Sequence, residues 1–260
     1  MGGGVRSLAE SDLCRLPAPT VEDVDLPTAA VTFTPYGFLH WTMLVLTVIG
    51  SVLLVWLGRR YRDTPEGEIF TRIFAVVMLA VTFGFLIVFL IPPLFDLHQS
   101  LPLHLSDILR LISGYALLRQ RSWAVALTYY WGLTLNPQAL LTPELHPDVA
   151  PILEITSYWS QHILVMWAAV YLTWGLGLHP NWRSYRLTLV ASAAWAVTVF
   201  AINSTLNTNY GYLNRKPGGA SLLDLMGDWP WYLPVAFAVL AAAWALMTWP
   251  WTRRTRVRKA

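Results

Sequence analysis

The fold is decided by one segment, Ser100-Leu101-Pro102-Leu103-His104-Leu105-Ser106-Asp107-Ile108-Leu109-Arg110. It places His104, Ser106, Asp107 and Arg110 within seven residues of an otherwise apolar chain. Such a group is expensive to bury in lipid, and ionisable residues at membrane depth usually mark a transport pathway or a reactive site. The segment therefore indicates a membrane protein and predicts where its functional site lies.

The composition outside this segment is that of a membrane protein. Of the 260 residues, 55% are hydrophobic and only 13% are charged, and Cys14 is the only cysteine, so no intrachain disulfide can form. The formal charge of +3 does not indicate a nucleic-acid partner, because the basic residues flank apolar stretches. This distribution predicts an all-α, polytopic membrane bundle.

Seven stretches are candidate membrane helices, judged against the roughly 20 mainly apolar residues that a helix needs to cross the hydrocarbon. They are residues 37–57, 69–91, 101–118, 122–135, 156–177, 185–206 and 230–250. The third is polar at its start and the fourth is short. Both are retained because the distribution of basic residues requires an odd number of spans.

With seven spans, 13 of the 18 basic residues fall on one side, which the positive-inside rule assigns to the cytoplasm. We therefore predict an extracytoplasmic tail over 1–36, a membrane domain over 37–252 and a basic cytoplasmic tail over 253–260. A bacterial inner (plasma) membrane is the expected location. Arg215 and Lys216 are exceptions in the outer loop, and either they meet an anion such as a lipid phosphate or they are incidental charges.

Polar residues from three spans share one depth in the outer half of the predicted bundle. His104, Ser106 and Asp107 lie in span three. The spacing of four places Glu154, Tyr158 and His162 on one face of span five, and Asn203 and Asn207 lie at the outer end of span six. Buried polar groups in a membrane face each other or a wet cavity, so these spans are expected to pack together.

These residue types suit nucleophilic catalysis. A serine hydroxyl is a weak nucleophile until a base removes its proton, and histidine is the usual base near neutral pH. His104 lies two residues from Ser106, nearly opposite it on a helix, so His162 is sterically the better base. Asp107 either orients His104 or forms an ion pair with Arg110. Metal binding is a competing chemistry, but no close-spaced ligand motif is present, and no cofactor is predicted.

Several segments together resemble the YwaF-like integral membrane proteins of bacteria, whose eukaryotic relatives include a seven-span lipid acyltransferase. The matching segments, in consistent order over residues 101–232, are LPLHL (101–105), YWG (130–132), ALLTP (139–143), YWSQH (158–162), NYGYLNRKP (209–217), SLLD (221–224) and WPWY (229–232). The resemblance implies an acyl-carrying nucleophile after His-Leu, which is typically cysteine, and a histidine base on a later helix. Here those positions are Ser106 and His162.

The leading hypothesis is a membrane acyltransferase or lipase-like enzyme that acts on phospholipids from the outer leaflet. Ser106 attacks an acyl ester and His162 is the base, with His104 and Asp107 beside them. The predicted substrate-binding residues are Tyr158, Asn203, Asn207, Asn209, Tyr210, Lys216 and Asp224, among which Lys216 holds the phosphate. The alternative is a non-catalytic protein: a lipid-binding or assembly subunit, or a small-solute carrier with a polar path from His104 toward Arg119.

Overall fold

The computed structural model describes residues 33–143, 145, 150–219 and 221–257, and these residues contain helices but no strand. The helices are α1 (Phe38–Tyr61), α2 (Pro65–Leu90), α3 (Leu105–Arg119), α4 (Ser122–Leu141), α5 (Pro151–Val170), α6 (Trp182–Leu206) and α7 (Tyr232–Val257). A π-helical turn, Tyr171–Gly175, extends α5. Cys14, most of the predicted tail and the last basic residues, from 258 onward, lie outside the described residues.

Each predicted span corresponds to one of these helices, but two boundaries differ in ways that matter. Span three was expected from residue 101, whereas α3 begins at Leu105. Pro102 and a tight turn in which the Leu103 N–H donates to the Leu101 carbonyl (2.7 Å) keep residues 101–104 non-helical. Span four was expected to end at 135, but α4 continues to Leu141 through Pro137.

The helices divide into an exposed outer set and a more buried inner set. Helices α1, α2, α6 and α7 are long and apolar enough to cross a membrane, and only 11% to 22% of the residues in their most apolar stretches are buried. By contrast, more than half of the α4 residues and nearly half of the α5 residues are buried. The inner helices α3–α5 are thus shielded by helices that present apolar side chains outward, as a lipid-facing bundle requires.

The helix ends that carry the predicted cytoplasmic arginines meet at one end of the bundle. At this end Arg59 donates to the Trp174 carbonyl (3.1 Å), and the Trp251 indole donates to the Tyr129 hydroxyl (3.1 Å). At the opposite end, buried His40 near the start of α1 contacts the Leu140 carbonyl at the end of α4 (2.9 Å). The alternation of helix direction therefore places the start of α3, the start of α5 and the α6–α7 loop together at the end away from the arginines.

Candidate functional site

A cavity of about 1880 Å³ opens among the inner helices at the end away from the arginines. Its wall includes six of the residues that the sequence singled out, His104, Ser106, Asp107, Tyr158, His162 and Asn209. The remaining five, Asn203, Asn207, Tyr210, Lys216 and Asp224, do not line it. The cavity also has a large apolar wall, made by side chains such as Phe85, Phe89, Leu240 and Trp244 from α2 and α7.

Ser106 lies in the first turn of α3 and lines the cavity. Most serine and threonine hydroxyls within helices bond back to the carbonyl four residues earlier, as Thr82 does to Met78 (2.8 Å). For Ser106 that carbonyl belongs to Pro102, which precedes the helix. Among the described residues its hydroxyl has no hydrogen-bond partner, so it is available for a ligand.

Asp107 and Arg110 form an ion pair on α3, and Arg110 also donates to the Gln161 side chain on α5. Asp107 in addition accepts a hydrogen bond from the backbone N–H of His104 (3.0 Å). Of the two roles that the sequence left open for Asp107, the structure shows the pairing with Arg110. The carboxylate caps the start of α3 and does not contact the His104 ring nitrogens. Arg110 joins α3 to α5 one turn below Ser106, on the same helix face.

His162 is held by Asn136 of α4 through a reciprocal pair of hydrogen bonds. The Asn136 amide nitrogen donates to the His162 carbonyl (3.0 Å), and its oxygen lies 2.8 Å from His162 Nδ1. A carbonyl only accepts, so the amide orientation is fixed, and its oxygen requires a proton on Nδ1. The lone pair of His162 is therefore on Nε2, which has no partner among the described residues, while the side chain is only 8% exposed.

Tyr158 packs its ring against the His162 ring, with centroids 4.4 Å apart. Its hydroxyl donates to the Ala139 carbonyl (2.7 Å) near the end of α4. This hydroxyl proton is therefore used within the protein. In this structure Tyr158 contacts His162 and joins α5 to α4.

His104 precedes α3 in an extended conformation, so the expectation that it lies opposite Ser106 on a continuous helix is wrong. Its Nδ1 accepts a hydrogen bond from the backbone N–H of Gly211 (3.3 Å) in the α6–α7 loop. The ring also packs edge-on against Tyr210, with centroids 5.0 Å apart. His104 therefore contacts the loop on one side and the cavity on the other.

Asn203 and Tyr210 form the internal scaffold of the α6–α7 loop. Both are fully buried, and the Asn203 amide bonds both backbone groups of Tyr210 (2.9 Å each) and the Thr208 hydroxyl (2.8 Å). The Tyr210 hydroxyl donates to the Leu97 carbonyl (2.5 Å) and accepts from the Leu101 N–H (3.2 Å). Burial raises the pKa of this phenol, which keeps it a proton donor.

The other polar residues predicted in this region also bond to the protein itself. Asn209 bonds the backbone of Asn214 and Arg215, and Asn207 ends α6 in an exposed left-handed conformation (φ 54°). Asn203 and Asn207 both lie at the end of α6, but Asn203 is buried and Asn207 is exposed. The Asn209 side chain thus shapes the loop beside the cavity that it lines.

Lys216 forms two ion pairs, with Asp224 (3.7 Å) and Asp228 (3.8 Å). The charge of Lys216 is thus paired with carboxylates of the same loop. Arg215 instead is exposed at the cavity rim and forms no ion pair among the described residues. Of the two exceptions to the positive-inside rule, Arg215 is the cation with a free guanidinium.

Asn136 is the main site residue that sequence reasoning missed. The signal was present as an amide in an apolar region before Pro137, but the predicted span stopped one residue short of it.

In the described part of the chain, no three His, Cys, Asp or Glu side chains are grouped in a way that could hold a metal ion. The site therefore consists of a serine, two histidines, an amide and a paired arginine.

The comparisons with known proteins give one match. The family model described as the TMEM164 family matches residues 35–248, which include all seven helices except the end of α7. No curated protein and no solved structure matches the chain.

Proposed function

The chain belongs to the TMEM164 family, a transmembrane protein family, and from this premise we propose that it is a membrane-embedded acyltransferase or lipase-like enzyme. Membership and the four apolar helices support a multi-pass membrane protein. The proposal adds that phospholipid acyl esters are the substrate, that Ser106 is the nucleophile and that His162 is the base. It also adds seven membrane crossings, with the site in the outer leaflet of the bacterial plasma membrane.

One observation carries the proposal: a hydroxyl and an imidazole lone pair, both without partners among the described residues, line the same cavity. Nucleophilic catalysis needs these two groups together with a third group that orients the base. Asn136 supplies the orientation, because its amide holds the proton on Nδ1. An asparagine in this place is known from Cys-His-Asn sites, where it fixes the ring without adding negative charge.

The reaction follows from these roles. Ser106 Oγ bonds to the acyl carbonyl carbon, its proton moves to His162 Nε2, and the carbonyl electron pair moves to oxygen. The bond to the ester oxygen then breaks, and Nε2–H protonates the departing lysophospholipid. A hydroxyl group, from water or from a second lipid, next attacks the acyl-serine while Nε2 takes its proton. That proton returns to Oγ when the acyl group leaves.

The dimensions and lining of the cavity support a lipid substrate. Pockets for drug-sized ligands are roughly 300–1,000 Å³, whereas this cavity is about 1880 Å³ and combines apolar walls with polar groups. An acyl chain fits the apolar wall from α2 and α7 while the ester reaches Ser106. We assign the phosphate contact to Arg215 at the rim, because Lys216 is neutralised by two aspartates.

The length of α3 supports a site in one leaflet. Its 15 residues rise about 22 Å, less than the roughly 30 Å of hydrocarbon, so residues 91–104 complete the crossing without helix. Irregular backbone at membrane depth is tolerated where it lines a cavity or is buried in protein, and residues 98–104 with few exceptions line this one. The lining from α3 ends at Leu111, which does not favour a solute path toward Arg119.

The proposal is tested with full-length protein in detergent micelles, mixed with phosphatidylethanolamine and phosphatidylglycerol that carry a fluorescent acyl chain. Ser106→Ala and His162→Ala should each lower acyl release by at least about 10³-fold, and the double mutant should be little worse, because the pair acts as one unit. Ser106→Cys should stay active and become sensitive to thiol alkylation.

Ser204→Ala is the matched control. Ser204 is exposed and does not line the cavity, and its hydroxyl bonds back to the Phe200 carbonyl (2.8 Å), so the rate should not change. Full activity in folded Ser106→Ala protein would contradict the proposal.

A further inference from the structure

The segment that carries His104 into the cavity wall is fixed by several hydrogen bonds from α6 and the α6–α7 loop. The Trp195 indole donates to the Leu103 carbonyl (3.0 Å), and the Tyr210 hydroxyl accepts from the Leu101 N–H (3.2 Å). Gly211 adds the bond to the His104 ring itself (3.3 Å). A group held on both sides of its own backbone is preorganised, which is the requirement for electrostatic stabilisation of a transition state.

Gly211 determines which ring nitrogen of His104 carries the proton. A backbone N–H only donates, so Nδ1 of the neutral ring has no proton and Nε2 carries it. Gly211 has φ +66°, and a Cβ there would collide with the Trp195 ring, so the backbone that presents this N–H requires glycine. His104 and His162 therefore have opposite tautomers: His104 offers an N–H at Nε2, and His162 offers a lone pair at Nε2.

A third histidine at the same end of the bundle shows what a purely structural histidine looks like here. His40 is fully buried, its Nδ1 accepts from the Tyr36 N–H (2.8 Å), and its Nε2 lies 2.9 Å from the Leu140 carbonyl. Both nitrogens are used within the protein. At His104 the Nε2–H has no partner among the described residues, and the residue lines the cavity that also holds Ser106.

We infer that His104 is the oxyanion donor of this site, hydrogen-bonding through Nε2–H to the acyl carbonyl oxygen as Ser106 attacks. The inference rests on the proposed function and adds a residue role to it. No proton leaves His104; its hydrogen bond strengthens as negative charge builds on the oxygen. The positive end of α3, whose first turn carries Ser106, favours the same charge. In this arrangement His162 is the base and His104 is the hydrogen-bond donor to the oxyanion.

Two substitutions separate the donor role from a structural role of the ring. In His104→Asn the side-chain oxygen can occupy the Nδ1 position and keep the bond to Gly211, but nothing reaches the Nε2 position. In His104→Gln the amide nitrogen reaches the Nε2 position and can donate, but the Gly211 bond is lost. The assay is fluorescent acyl release from phosphatidylglycerol and phosphatidylethanolamine, with kcat, KM and the melting temperature measured for each full-length variant.

The donor role predicts that His104→Asn keeps the wild-type melting temperature and KM but loses about 100-fold in kcat, the effect of removing one oxyanion donor. His104→Gln should retain at least ten times the kcat of His104→Asn, despite a lower melting temperature. Wild-type kcat in His104→Asn, or equal loss in both variants, would overturn the inference. The proposed function fails separately, if Ser106→Ala stays active.

Discussion

Two polar regions of this protein look alike in sequence and differ in structure. The cavity cluster is Ser106, His104 and His162; the loop cluster is Asn203, Asn209, Tyr210, Lys216 and Asp224. In the loop cluster the side chains bond to backbone groups or form ion pairs within the loop. In the cavity cluster a hydroxyl and two ring nitrogens have no partner among the described residues.

This difference distinguishes residues that stabilise the fold from residues that can contact a ligand. Buried polar groups are normally hydrogen-bonded, because leaving one unpaired costs about 1–3 kcal/mol. A region that satisfies its own polar atoms has little capacity left for a ligand. Open polar atoms at a cavity wall, as at His162 and Ser106, are where a substrate gains the most from binding. Substitutions in the cavity cluster should therefore mainly lower activity, whereas substitutions in the loop cluster should mainly lower stability.

The largest effect is expected at Asn136, which contacts His162 of the cavity cluster. Asn136→Ala removes the acceptor for Nδ1–H, so the ring is free to adopt the wrong tautomer, and acyl release should fall about 10²-fold. Asn136→Asp keeps an acceptor there and should retain clearly more activity than the alanine variant. Acyl release by both variants at equal folded fraction is the measurement.

One result would contradict this role of Asn136 in orienting His162. If the alanine and aspartate variants lose activity in proportion to their loss of melting temperature, Asn136 only joins α4 to α5. The Tyr158→Phe variant is a matched control, because it removes a hydrogen bond between the same two helices, to Ala139, without touching the His162 nitrogens. It should lower the melting temperature with much less loss of acyl release.

A smaller effect distinguishes the neighbouring cations of the α6–α7 loop. Arg215→Gln should raise KM for phosphatidylglycerol about tenfold and leave KM for a neutral diacylglycerol ester unchanged, since one exposed charge-assisted contact contributes about 1–2 kcal/mol. Lys216→Gln should change both KM values much less and lower the melting temperature instead, because its partners are Asp224 and Asp228. A larger phospholipid-specific effect at Lys216 would reverse the assignment.

The smallest effect on activity is expected at Asn203, although it is fully buried. Asn203→Ala removes the bonds to Tyr210 and Thr208 and should destabilise the fold by about 2–4 kcal/mol. Below the melting temperature, kcat should fall less than tenfold. Asn207→Gly, which keeps the left-handed helix end, should change neither quantity. A collapse of kcat without loss of stability would place Asn203 in the chemistry.

Sequence patterns predicted the helices well because long apolar stretches are a strong signal. All seven helices lie where spans were expected, and Glu154, Tyr158 and His162 line the cavity from one helix face as their spacing indicated. The start of α3 was misplaced because Leu101-Pro102-Leu103 is apolar but folds as a turn. Hydropathy alone does not distinguish an apolar turn from the start of an apolar helix.

The pairing within the site could not be predicted, because it depends on contacts between helices. Asn136 lies beside Pro137, which usually ends a helix, so the residue was left outside span four. Its role depends on facing the backbone of His162 on α5, a contact that no single-helix pattern contains. The same limit explains Asn203 and Lys216: a shared depth does not show which polar atoms are already bonded.

The central claim is that His162 activates the Ser106 hydroxyl, and an alkyl fluorophosphonate tests it most directly. Ser106 Oγ would bond to phosphorus, fluoride would leave, and His162 Nε2 would take the proton. Intact-mass spectrometry and peptide mapping of the full-length protein should show one adduct on Ser106, none in Ser106→Ala, and a labelling rate lowered about 10²–10⁴-fold in His162→Ala. Absence of the adduct from Ser106, or equal labelling rates with and without His162, would contradict the account.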